Sequence, residues 1–215
     1  MGANKKTDQE WIFELIGGRL CLDFVNTVSG KRGSDPTERL GDYRDLVSWS
    51  RQLGIFDESE TKALLAQAQQ APEQAERVYR DAIDLREALY RIFTAVADQG
   101  EPQADDLAIL NTVLARSLGS QRLTFQNGRY CLGCLRGETD LDCMLWPVAK
   151  SAVDLATSDE ELKRVRVCEA TADDRCSWLF LDETRNRTRR WCSMKDCGNR
   201  AKARRFYHRH HASAL

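Results

Sequence analysis

Histidine and proline are scarce in this 215-residue chain, which has three His and four Pro. All three histidines, His208, His210 and His211, fall in the last eight residues. The rest of the chain therefore has no imidazole for acid–base work and no Ser-His-Asp arrangement. A glycine-rich phosphate loop is also missing, as is any recognisable pair of motif carboxylates. Together these absences argue against an enzyme. No apolar run is long enough to span a bilayer. Met1 to Glu10 carries a little positive charge and then acid, with no apolar stretch after it, so no secretory signal is read there. A cytoplasmic protein is expected, in a compartment that keeps thiols reduced.

What is present is ordinary globular material with two anomalies. Apolar residues make up 42% and charged residues 30%, which suits a helix-rich folded chain. The first anomaly is charge segregation. Arg185 to Leu215 holds ten Lys or Arg against one acid, Asp196, while residues 1–184 hold 22 basic and 32 acidic residues. The net charge of −1 thus hides a basic end on an acidic body. Such an end suits a polyanion, or a solvated helix docked on the acidic body.

The second anomaly is Cys168-x7-Cys176-x15-Cys192-x4-Cys197. Two close cysteine pairs joined by a spacer suit a tetrahedral Zn²⁺, each pair wrapping one side of the ion. Two disulfides or plain buried thiols are the alternatives, and the expected reducing compartment favours the metal. Cys131, Cys134 and Cys143 form a looser group without a fourth ligand and read as plain thiols.

Hydrophobic periodicity supplies the rest. The spacing predicts helices from Asp42 to Gly54, from Asp57, from Pro72 to about Gln99, through Leu107–Leu118, and from Leu141 to Ala156. Asn127-Gly128 predicts a hairpin within Arg122–Leu132. Trp11 to Gly17 reads as a weak strand, Leu20 to Val28 as a short helix, and Gly30 to Asp35 as a loop. Near the C-terminus, Trp178–Asp182 is expected to pair with Thr188–Trp191, before a knuckle and a helix running to about His211. The expected fold class is α+β. A mostly helical domain with a small antiparallel sheet (1–160) precedes a treble-clef-like zinc module of β-hairpin then helix (161–215).

On the final helix, Arg200, Arg204 and His208 form one row, and Lys202, Arg205 and Arg209 form its neighbour. Arg189, Arg190, Arg200, Lys202, Arg204 and Arg205 are the expected contacts to double-stranded DNA. Asn199 suits capping or knuckle support better than base reading. Asp23 and Asn26, three apart in an apolar stretch, either line a pocket for a small-molecule effector or satisfy buried backbone groups.

Two strings carry a resemblance. Trp191-Cys192-Ser193-Met194-x-x-Cys197-Gly198-Asn199-Arg200-x-Lys202-x-Arg204, preceded by Trp178-Leu-Phe-Leu-Asp182-x-x-Arg185-Asn186, resembles the bacterial CGNR zinc finger. Gly17-Gly18-x-Leu20-x-Leu22-Asp23-Phe24-x-Asn26-Thr27 resembles the opening of the ABATE domain that precedes that finger. The resemblance implies a stress-responsive transcriptional regulator with a zinc-dependent, DNA-binding C-terminal finger. The gap between Cys168 and Cys176 is longer than that finger's usual spacing, which leaves His208, His210 or His211 as alternative ligands. A homodimer would supply a second half-site. A zinc-stabilised adaptor for an acidic protein partner is the other reading.

Overall fold

The computed structural model describes residues 12–126, 128–134, 140–170 and 176–211, without the side chains of a few residues inside elements. The expected polar tail at 1–10, the turn residue Asn127 and most of the first knuckle loop lie outside them.

The body is helical. Its elements are α1 (Leu20–Val25), α2 (Tyr43–Gln52), α3 (Glu58–Gln70), α4 (Pro72–Ala97), α5 (Ala104–Ser120), α6 (Leu145–Ala156) and the short α7 (Asp159–Leu162). Local chemistry sets their starts. The Asp42 carboxylate caps α2 by accepting from Arg44 N and Asp45 N. Asp57 and Glu60 form a reciprocal capping box on α3. Pro72 sits in the first turn of α4, where an amide proton has no partner to lose. Pro147 likewise falls within the first turn of α6, so the helix expected from Leu141 begins only at Leu145.

Helix α4 is the spine. Its apolar stripe of Val78, Ala82, Leu85, Leu89, Ile92 and Phe93 is buried, and α1, α2, α3 and α5 pack around it. Phe24 of α1 meets Trp49 of α2 with ring centroids 5.1 Å apart. Those two rings, Phe93 and Met144 are all fully buried in one continuous core.

Among the described residues, three two-stranded antiparallel sheets decorate this bundle. The expected hairpin around Gly128 forms as β3 (Gln121–Gln126) with β4 (Arg129–Cys134). It leaves Leu123, Phe125 and Tyr130 exposed. The other two sheets differ from expectation. The loop expected over 30–35 shrinks to the turn 32–34, because β1 (Val28–Lys31) pairs with β2 (Asp35–Glu38), Val28 opposite Glu38. Glycine in one strand and proline in the other conceal the pair, since both are poor strand formers. No strand forms over residues 12–17.

The C-terminal hairpin is also re-paired. Leu179–Leu181 (β6) pairs with Val165–Val167 (β5), not with 188–191. Residues 188–191 run alongside without a ladder, held by Glu169 N donating to Arg190 O at 2.9 Å. The side chains decide this outcome. Val165, Leu179 and Leu181 are apolar and enter the main core, whereas 188–190 are polar. A π-helical turn, Met194–Gly198, then feeds α8 (Asn199–His211).

Packing is continuous across residue 160. Asn26 brackets Leu179, its Nδ2 donating to the Leu179 carbonyl at 2.8 Å and its Oδ1 accepting from Leu179 N at 2.9 Å. Trp178 Nε1 donates to Val28 O at 2.6 Å, and Ser177 N to Gly30 O at 3.0 Å. Leu181 N donates to Gly17 O at 2.8 Å. Beside this seam, the Arg32 guanidinium reaches Glu87 at 2.9 Å and Ser177 Oγ at 3.3 Å, and stacks on Tyr90.

Candidate metal centre and basic helix

Cys168 follows β5, and Cys176 lies three residues before β6. Cys192 and Cys197 come from the second knuckle, Cys197 within the π-helical turn. Among the described residues their four sulfurs form one buried cluster, every pair within 4.8 Å. Cys176 Sγ lies 3.7 Å from Cys192 Sγ, which lies 3.6 Å from Cys197 Sγ. Tetrahedral Zn²⁺ with Zn–S bonds of about 2.3 Å places its sulfurs roughly 3.8 Å apart, so the cluster fits the ion. Cys168 belongs to it despite the long first gap. The side chains of His208, His210 and His211 lie outside the described residues.

Electrostatics agree with this assignment. Hydrogen bonds from Cys168, Cys176 and Cys192, aided by Arg200, pull the Cys197 thiol down, while the Cys168, Cys176 and Cys197 sulfurs push Cys192 up. Four sulfurs this close cannot all ionise alone, and a divalent cation resolves the conflict. Cys168, Cys176, Cys192 and Cys197 thus form a cluster able to bind a zinc ion, and these four would hold it. None of the four is in a disulfide.

The knuckle supports the cluster. Ser193 Oγ accepts from Asp196 N, closing the turn. Asn199 Nδ2 donates to Lys195 O at 3.0 Å, a knuckle brace rather than a base reader. A Cβ on Gly198 would come within 2.6 Å of Met194 Sδ, but Met194 is half exposed and its flexible thioether can move aside, so this contact alone does not require glycine.

Asp182 organises the stretch between the two knuckles. Its Oδ1 accepts from Thr184 N at 3.0 Å and its Oδ2 from Arg189 N at 3.0 Å. Burial alone would raise its carboxyl, but these bonds and the Thr184 hydroxyl outweigh burial and hold it below the usual range.

The expected DNA contacts separate by what they touch. Arg189 is corrected to a structural residue. Its Nε donates to Trp191 O at 3.1 Å, its Nη2 to Cys192 O, and the guanidinium lies 4.3 Å over the Phe180 ring. Four backbone carbonyls, those of Trp191, Cys192, Leu181 and Ile16, lie within reach of this guanidinium, and five fixed donors suit them. Arg190 pairs with Glu169, with Nε 2.6 Å from both carboxylate oxygens, and stacks on Trp191. Arg200 Nη2 donates to Cys197 Sγ at 3.4 Å, which ties it to the metal centre. Arg204 turns the same way, lining with Arg200 and Tyr207 a cavity of about 400 Å³ under α8. Lys202 and Arg205 are exposed, on one row with exposed Arg209, which the expected set omits although its spacing showed it.

The effector pocket expected at Asp23 and Asn26 is also corrected. Asp23 Oδ1 accepts from Gly17 N at 2.8 Å, and Asn26 is consumed by Leu179. Both side chains are buried against backbone because the tight Gly17 turn and the adjacent strand leave polar groups that need partners. A Cβ on Gly17 would sit 2.8 Å from Asp23 N, which explains the glycine. Cys143 is buried in the core, as a plain thiol would be, while the side chains of Cys131 and Cys134 lie outside the described residues. Sequence reasoning missed Ser177, Arg32 and the β1–β2 hairpin as the finger's platform, and nothing in their local pattern announces it.

No described helix is long and apolar enough to cross a membrane. No curated protein matches the chain. Two family models do. Residues 18–159 match ABATE, described as "Putative stress-induced transcription regulator". Residues 164–210 match the CGNR zinc finger, the segment that holds all four ligands. The first match spans well over half of the sequence, and the chain belongs to the ABATE family, with a CGNR zinc finger at its C-terminal side.

Proposed function

We propose that this protein is a zinc-dependent, cytoplasmic DNA-binding transcriptional regulator that meets the duplex through α8. The observation that carries the reading is the exposed row Lys202, Arg205 and Arg209 on a helix that starts at the metal-anchored knuckle. Cations at i, i+3 and i+7 share one helix face, which suits consecutive phosphates along a groove. Arg205 is braced by Trp191, its guanidinium 5.6 Å from that ring, so less side-chain freedom is lost on contact. The body, residues 1–160, repels polyanions through its excess acid and would leave the basic end of 161–215 as the docking surface. Both family descriptions are of regulator and zinc-finger type.

Duplex binding by the zinc-loaded full chain across a salt series tests this. Each of Lys202→Ala and Arg205→Ala is expected to weaken all sequences alike and to lower the slope of log K against log salt by about 1. No duplex binding at low salt, together with capture of an acidic protein, replaces the reading with the adaptor.

A further inference from the structure

Among the described residues, two cavities border the cysteine cluster. Cys176, Cys192 and Cys197 line a cavity of about 510 Å³ whose far wall is the β1–β2 hairpin with Thr37 and the following Arg39. Cys168 lines no part of it, is fully buried, and accepts from Cys192 N at 3.4 Å. Cys197 also lines the second cavity, of about 400 Å³, beneath α8. Arg200 borders both cavities and places its guanidinium 3.4 Å from Cys197 Sγ. Cys192 Sγ is 3.6 Å from Cys197 Sγ. Cys197, only 2% exposed, thus borders both cavities beside a fixed cation, with Cys192 Sγ next to it and Cys168 shielded.

We propose that Cys197 and Cys192 form a modification site for hydrogen peroxide or a small organic peroxide, with Cys197 reacting first. The Cys197 sulfur attacks one peroxide oxygen, the O–O bond breaks, and the departing hydroxide takes a proton to become water. Arg200 steadies the negative charge as it moves from sulfur to oxygen. Cys192 sulfur then attacks the Cys197 sulfenic acid, the S–O bond breaks, and a second hydroxide leaves as water after taking a second proton. Two thiolates, one peroxide and two protons thus give one disulfide and two waters, the sulfurs losing two electrons and the peroxide gaining them. Only Cys168 and Cys176 remain as ligands, which is too few to hold structural zinc. The inference rests on the zinc site alone and stands apart from whether α8 binds DNA.

The test exposes the zinc-loaded full chain to hydrogen peroxide, follows zinc with a chromophoric chelator, and maps cysteine pairs by mass spectrometry. One zinc is released per chain, the first disulfide joins Cys192 to Cys197, and Cys168 stays reduced. Arg200→Ala, once shown to hold one zinc per chain, releases it about tenfold more slowly, the loss expected for one charge-assisted contact. A first disulfide that contains Cys168 or joins Cys176 to Cys192 overturns the proposal. So does zinc retained through an exposure that oxidises free glutathione completely. The wild-type map decides the matter even if the Arg200 variant fails to load metal.

Discussion

The body and the finger hide themselves from water by different means. The body fills its interior with aliphatic and aromatic side chains on α1, α2, α4 and α6, and would keep that core without any ligand. In the finger's own cluster, Cys168, Cys176, Cys192 and Cys197 make up four of the seven buried residues. Charge-bearing sulfur is a poor core unless a cation sits among it. Yet the two halves are not independent, because Val165, Leu179 and Leu181 of β5 and β6 belong to the main core while Phe180 of β6 and the cysteines belong to the finger's cluster. Metal dependence is therefore expected to begin after β6 and not at the module's first residue.

Removing the metal stresses this contrast most. Chelation, or Cys192→Ser, forfeits binding free energy on the order of 10 kcal/mol. Limited proteolysis should then cut freely from about residue 183 onward, while β5, β6 and the helices stay protected. Cleavage spreading at once into α4 would mean that the body, too, is built around zinc.

Asn26→Ala probes the seam. It strands the Leu179 amide and carbonyl in a buried site, for a loss of about 3 kcal/mol. Urea unfolding of the zinc-loaded protein measures that loss. A change under about 0.5 kcal/mol would show that the finger does not lean on α1.

A comparable effect appears with pH. Burial pushes Asp23 from an ordinary 3.8 up to about 6, against the pull of the Gly17 and Ile16 amides. Between about pH 4 and pH 6 the native state holds a proton that the unfolded state has released. Stability from this group is therefore gained as pH falls through that window and is absent above it. The difference is about 3 kcal/mol over the window, and Asp23→Asn should flatten it. Thermal melts of both proteins between pH 4 and pH 7 give the two slopes, and parallel slopes would refute the assignment.

The smallest stability effect belongs to the helix assigned to DNA. Lys202→Ala should leave the melting temperature within about 1 °C, because the side chain is exposed. A large drop would make α8 a docked structural element instead of a docking surface.

Regular, local signals were legible before any coordinates. The helices of the body announce themselves by period and by caps such as Asp42 and Asp57, and the β3–β4 turn by its Asn-Gly pair. The metal ligands were legible because a tetrahedral ion needs paired donors, and pairs leave a spacing. Charge segregation, likewise, is a property of the chain before it folds.

Long-range choices were not legible. Which segment pairs with 179–181 depended on a core that only α4 and α1 complete, so β5 won over 188–191. Arg189 and Arg190 look alike in sequence. Tertiary structure gave one a shell of carbonyls and the other Glu169. Asp23 and Asn26 became backbone partners because Gly17 and Leu179, six and 153 positions away, arrive beside them. The sequence by itself determined the helices of the body, the paired cysteines and the charge of each end, all set by chemistry within a few residues. Only the tertiary structure decided which polar side chains remain for a partner, because a hydrogen bond is assigned by whichever group arrives nearest in the folded chain.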